Sequence, residues 1–145
     1  MPASQLNRSL ILLPAATIAD AAAGVLSNVL SKTPGVLVAT IQASFLYGAG
    51  GTKVTAYIQT SLDGEASWFD IACMTFTTAA AKKISSVKAL TAVAASYTPT
   101  DGSLTDDTIK DGLLGNSFRV KYTSTGTYSG ATSLAVHMSL QGLSM

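Results

Sequence analysis

Charge is scarce in this 145-residue chain: Asp, Glu, Lys and Arg together supply 12% of it, about half the roughly 25% of an ordinary soluble domain. Hydrophobic residues reach 48%. A surface so poor in charge is embedded in lipid or covered by other chains. The net charge is +1, and the densest basic spot, Lys82-Lys83, marks a solvated strand edge. Nothing here attracts a nucleic-acid backbone or an acidic membrane. There is one cysteine, Cys73, which excludes an internal disulfide framework and a cysteine-based zinc site. Set among apolar residues in FDIACMTF, it reads as a buried, inert thiol. There is one histidine, His137, and one glutamate, Glu65. A catalytic triad or metal centre built on a single histidine is disfavoured. With glutamate present once and β-branched and hydroxyl residues abundant, the composition favours strands over helices.

A membrane span is excluded on inspection. Residues 33–52 carry no charge and are long enough to cross, but they include Pro34, Gln42 and four glycines, and their apolar residues alternate. The start, MPASQLNRSLILLPAATIADAAA, imitates a secretory leader, with Arg8, a short apolar run and Ala19-Asp20-Ala21. Its strongly apolar part spans only Leu10 to Leu13 and is broken by Pro14. Residues 1–20 are expected to form an ordered arm that reaches a neighbouring chain, and 21–145 a single domain.

What the chain has instead is alternation. In LVATIQASFLY, Leu37, Ala39, Ile41, Ala43 and Phe45 alternate with Thr40, Gln42 and Ser44, a period of two that marks a strand with one wet face. Val54, Ala56 and Ile58 repeat the pattern, and the glycines of GAGGT between the two runs suit a hairpin connection rather than a phosphate loop. SWFDIACMTFT (67–77) is apolar on both sides, as in a central or covered strand. A strand is expected over 83–94, then a long irregular connection over 96–116 with a helical turn at 104–111. SFRVKYT and SLAVHMSLQ close the chain, burying Phe118, Val120, Tyr122, Leu134, Val136, Met138 and Leu140. Weaker strands fall near 9–13 and 24–31, although TIADAAAGVL also suits a short helix. The expected fold is all-β, an antiparallel jelly-roll-like sandwich of about eight strands.

SLDGEASWF (61–69) approaches the Asp-box of sialidases and β-propellers, Ser-x-Asp-x-Gly-x-Thr-Trp. A propeller would repeat it at a fixed period, and one copy is present. Ser61, Asp63 and Gly64 are expected to fold a turn, Asp63 through side-chain-to-backbone bonds and Gly64 by supplying the flexible position, with Trp68 anchored in the core. Asp63, Glu65 and Asp70 bracket Trp68, but glycosidase chemistry needs two carboxylates facing one cleft and Asp63 is committed to the turn, which disfavours that chemistry. Asp101, Asp106, Asp107 and Asp111 lack the spacing of a calcium loop. They read as caps and solubilising charge, and a looser calcium site on two of them stays open. His137 shares the polar phase of its strand and is expected to face solvent or another chain. No catalytic, cofactor-binding or metal-binding residue is assigned.

VLVATIQASFLYGAGGTKVTAYIQTSLDGEASWFDIACMTFTTA, followed by SFRVKYTSTGTYSGATSLAVHMSLQG, resembles small structural proteins of tailed-bacteriophage virions. These carry an IQTSLDGG-x-x-W-x-DIA hairpin and then FRVKYT-x-TG. The likeness spans 9–142 as a pattern and is sharpest at 58–72, where Glu65 replaces the usual glycine. It implies an all-β, non-enzymatic head decoration (cement) protein on the outer capsid surface of the virion. Such a protein binds the major capsid protein across capsomer seams and self-associates, often as a homotrimer. Neither nucleic acid nor membrane is an implied partner, and no cofactor is implied. A tail, neck or head-fibre component is the neighbouring alternative. A carbohydrate-binding module using Tyr47, Tyr57, Tyr97, Tyr122 and Tyr128 is the alternative from another class.

Overall fold

The computed structural model describes residues 4–31, 33 and 35–144. Ten strands follow one another: β1 (Ser4–Thr17), β2 (Ala22–Leu26), β3 (Val36–Leu46), β4 (Ala49–Gly50), β5 (Lys53–Ser61), β6 (Phe69–Phe76), β7 (Ala81–Lys88), β8 (Ser117–Thr125), β9 (Tyr128–Ser129) and β10 (Ser133–Ser144). They form two four-stranded antiparallel sheets and one small ribbon. Sheet one runs β1-β10-β3-β7 and sheet two runs β2-β8-β5-β6, while β4 pairs with β9. Leaving out β4 and β9, the eight long strands pair from the ends of the chain inward: β1 with β10, β2 with β8, β3 with β7, β5 with β6. That nesting is a long antiparallel ribbon rolled over itself, the jelly roll.

The alternation of the sequence becomes the two faces of each sheet. Ala39, Ile41, Ala43 and Phe45 of β3 and Leu134, Val136, Met138 and Leu140 of β10 point inward, against Val54, Ala56 and Ile58 of β5 and Phe118 and Val120 of β8. All are buried, and each large side chain contributes about 1.5–3 kcal/mol by leaving water. Phe45 stacks on Phe76 with ring centres 5.2 Å apart and meets Tyr128 edge-on at 5.9 Å. Gly51 of GAGGT has φ 72°, and a Cβ there would lie 2.3 Å from the Tyr128 ring. The glycine therefore lets the hairpin close over the aromatic cluster.

The structure departs from several expectations. Over Ser4–Thr17 the expected arm is a strand of sheet one, hydrogen-bonded to β10 from Ser4↔Ser144 to Thr17↔Ser133. Leu12 and Leu13 are buried in the common core, so this segment belongs to the sandwich. Its partner strand lies at the far end of the sequence, where local pattern gives no hint of it. Ala22–Leu26 is a strand rather than a helix, because the edge of β8 offers it a ladder. No helix occurs among the described residues, including 104–111. There the backbone is engaged with β6, Cys73 N–H donating to the Thr108 carbonyl and Lys110 N–H to the Ile71 carbonyl.

Candidate functional site

The densest gathering of polar groups lies on the outer side of sheet two, and a bulge creates it. β5 and β6 run in register from Val54↔Phe76 to Ile58↔Ala72. One extra residue, Ile71, then brings Asp70 opposite Gln59. The shift turns Asp70 from the core phase to the outer face, where the connection between β7 and β8 covers it completely. Its carboxylate accepts from Gln59 Nε2 at 2.8 Å and from Thr100 Oγ1 at 2.8 Å. It also accepts from the backbone N–H groups of Gly102, Ser103 and Leu104 at 2.8–3.1 Å. Three consecutive N–H groups aimed at one anion form a nest, and Gly102 at φ 87° makes the bend.

From Asp70 the bonding runs outward. Gln59 Nε2 also donates to Asp101 at 2.7 Å, and Arg119 Nε donates to Gln59 Oε1 at 2.8 Å. The Arg119 guanidinium lies over the Trp68 ring, 4.5 Å from its centre. Trp68 is thus half-buried on the outer face and not in the core. Phe69, opposite Thr60, takes the inward position.

The other aspartates of the connection act as pegs. Asp107 accepts from Thr75 N–H, Thr75 Oγ1 and Lys83 Nζ, each at 2.9 Å. Burial alone would raise its carboxyl, but the Thr75 and Lys83 donors outweigh that and hold it below the usual range. Asp111 accepts from Lys88 N–H and Thr91 Oγ1, which likewise depress it. Asp106 pairs with Lys53. Asp101 pairs with Lys121 at 3.1 Å. The cluster uses its charge to fix the connection to β5, β6, β7 and β8. No group of three or more His, Cys, Asp or Glu placed to hold a metal ion occurs among the described residues.

In SLDGEASWF, Asp63 accepts from Ser67 N–H at 2.9 Å, from the Ser67 hydroxyl at 2.5 Å and from Ser61 Oγ at 3.0 Å. Ser61 Oγ also accepts from Glu65 N–H at 2.9 Å. Glu65 stands at φ 71° and Gly64 at φ 69°, so the residue that replaces glycine occupies a left-handed conformation that glycine adopts without strain. Cys73 is 2% exposed, and burial pushes its thiol up to about 11. A broad, open groove of about 410 Å³ beside it runs between β7 and the connection, lined by Lys83, Asp107 and Ile109 among others.

The outer face of sheet one has a different character. Register places Ile11, His137, Gln42 and Ile84 in one row, and Ser9, Ser139, Thr40 and Ser86 in the next. Ile11 is 64% exposed, Ile84 65% and Leu46 61%, and His137 is exposed between them. None of the eight carboxylate residues lies on a strand of this sheet, whereas four of the nine cations do. The tyrosines share no exposed face: Tyr122 and Tyr128 are buried, Tyr47 packs edge-on against Tyr128, Tyr57 lies on sheet two and Tyr97 in the connection. The face was hidden from sequence reading because its rows join residues up to about 130 positions apart. Asp70 had a local signal, a lone acid inside an apolar run.

Comparison with protein-family models, curated proteins and solved structures returns no match to this chain.

Proposed function

We propose that this chain is a non-enzymatic structural protein of a tailed-phage virion, decorating the outer capsid surface and stabilising it by binding the major capsid protein across capsomer seams. One observation carries the reading: the outer face of sheet one combines three exposed large apolar side chains with hydroxyl and amide residues, lysines Lys82 and Lys88 only along its β7 edge, and no carboxylate. Such a face suits burial against a protein surface, since apolar area is removed from water and no anion must be desolvated. The jelly roll and the hairpin at 58–72 are in keeping with it. The gathered polar groups on sheet two take their bonds from the fold itself. Contacts of modest area, repeated over every copy on a particle, add up to a large stabilisation of the shell.

The test is co-sedimentation of the purified protein with undecorated capsids of the phage that encodes it. Wild type is expected to pellet with the capsids and to raise their resistance to heat. Ile84→Glu is expected to stay in the supernatant while melting at the wild-type temperature. Wild-type protein with no affinity for capsids, or turnover of any substrate that disappears in His137→Ala, refutes the proposal.

A further inference from the structure

Each sheet ends in two edge strands, and an unprotected edge is a template for another strand. Three of the four edges carry a protecting device. β7 has Lys82, Lys83 and Lys88 within eight residues. The free edge of β6 is covered by the connection, through the bonds at Thr100, Thr108 and Lys110. β2 is five residues long with a register break at Gly24. The fourth edge, β1, is protected only in its second half, where two register breaks follow Ile11 and Pro14 interrupts the donors. From Ser4 to Ile11 its register with β10 is unbroken. One charge, Arg8, falls in that stretch, and among the described residues no strand pairs with its outer side.

We infer that this edge pairs with the same edge of a second copy, antiparallel about a two-fold axis, joining two copies of sheet one into a continuous eight-stranded sheet. The inference rests on the proposed structural role and names the mode of self-association, a two-fold pair in place of the expected trimer. A second copy is the fitting occupant because each chain offers one open edge: pairing consumes both and closes the assembly without a fibre. The register follows from the pleat. An axis perpendicular to the sheet must set residues of one face opposite residues of the same face, so it passes through a residue. Centring on Arg8 would oppose two arginines. Centring on Asn7 pairs Ser4–Leu10 with Leu10–Ser4 of the second copy and sets Arg8 opposite Leu6, with no like charges facing.

A single strand pair is smaller than a standard interface, which places the dissociation constant on the order of 10–100 µM. Sedimentation equilibrium from about 10 µM to about 1 mM therefore spans the transition. Asn7→Lys and Asn7→Glu, each placing like charges across the axis, are expected to weaken pairing at least about tenfold. Mixing the two variants is expected to restore it. In wild type, amide hydrogens of Ser4–Leu10 are expected to exchange more slowly as concentration rises, a readout that stands even if a variant misfolds. A wild-type monomer at about 1 mM overturns the inference and leaves the edge to a strand of the shell protein. A dimer indifferent to the charge swap, with no concentration-dependent protection of Ser4–Leu10, overturns it too. Capsid binding is scored separately: a monomer that binds capsids sinks this inference alone, and a dimer without affinity for capsids sinks the proposed function alone.

Discussion

Asp70→Asn tests the connection between β7 and β8 with the smallest change in shape. The aspartate offers two oxygens, one taking Gln59 Nε2 and Gly102 N–H, the other taking Thr100 Oγ1 and the N–H groups of Gly102, Ser103 and Leu104. Asparagine keeps one oxygen and turns an NH₂ toward donors. If the oxygen stays on the nest, the Gln59 amide loses one of its two acceptors and faces a second NH₂. If it does not, at least two backbone N–H groups are left buried and unpaired, each costing about 1–3 kcal/mol. The loss of the charge-assisted bonds adds to this, so the variant is expected to lose about 3–5 kcal/mol. For a chain of this size that is a fall of roughly 10–15 °C in Tm. Urea melts measure the global loss, and Cys73 supplies a local gauge. Its thiol lies where the connection crosses β6, nearly buried and raised by that burial, and is expected to react slowly while the crossing holds, so labelling by a thiol reagent in native buffer should accelerate in Asp70→Asn. A loss below about 1 kcal/mol with unchanged labelling would refute the claim that the Asp70 nest anchors the connection.

Trp68→Ala should cost about 2 kcal/mol in a urea melt, because the ring is half-buried over Arg119 and not enclosed in the core; a loss above about 4 kcal/mol would place the ring inside after all. Ala131 stands at φ 61°, so Ala131→Gly should raise stability by about 1 kcal/mol, and a lower Tm would contradict the backbone argument. Asp107 and Asp111 are held below their ordinary range in the folded state. Their contribution is complete above the unfolded value near 4 and is lost as pH falls through the lower folded values. Amide protection factors in residues 100–111, followed from pH 5 down to about 2, should therefore fall before those of the core do, and a connection as protected as β3 throughout would count against the pegs.

The strands facing the core were legible because burial writes a period of two into β3, β5, β8 and β10, and nothing local competes with it. The Asp-box turn was legible too, since its bonds join residues within four positions. What stayed hidden has a common cause, separation along the chain. The partner of β1 is β10, more than a hundred residues away. The carboxylate-free face is a product of that pairing. Trp68 was expected inside because the aromatic ring of an Asp-box tucks under its hairpin, but the strand phase assigned the inward place to Phe69. The helical turn expected at 104–111 fails because those backbone groups satisfy the open edge of β6, a demand set by tertiary structure alone.

The nesting of the strands has a practical corollary. Ser4 faces Ser144 across one ladder, so both ends of the described chain emerge at the same corner of the sandwich. A few flexible residues would join them, and a circularly permuted chain opened among the exposed residues 92–96 would keep every rung of both sheets. A cargo domain fused to either end would occupy the same spot beside β1, so a tag meant to leave that edge free belongs on the 92–96 loop.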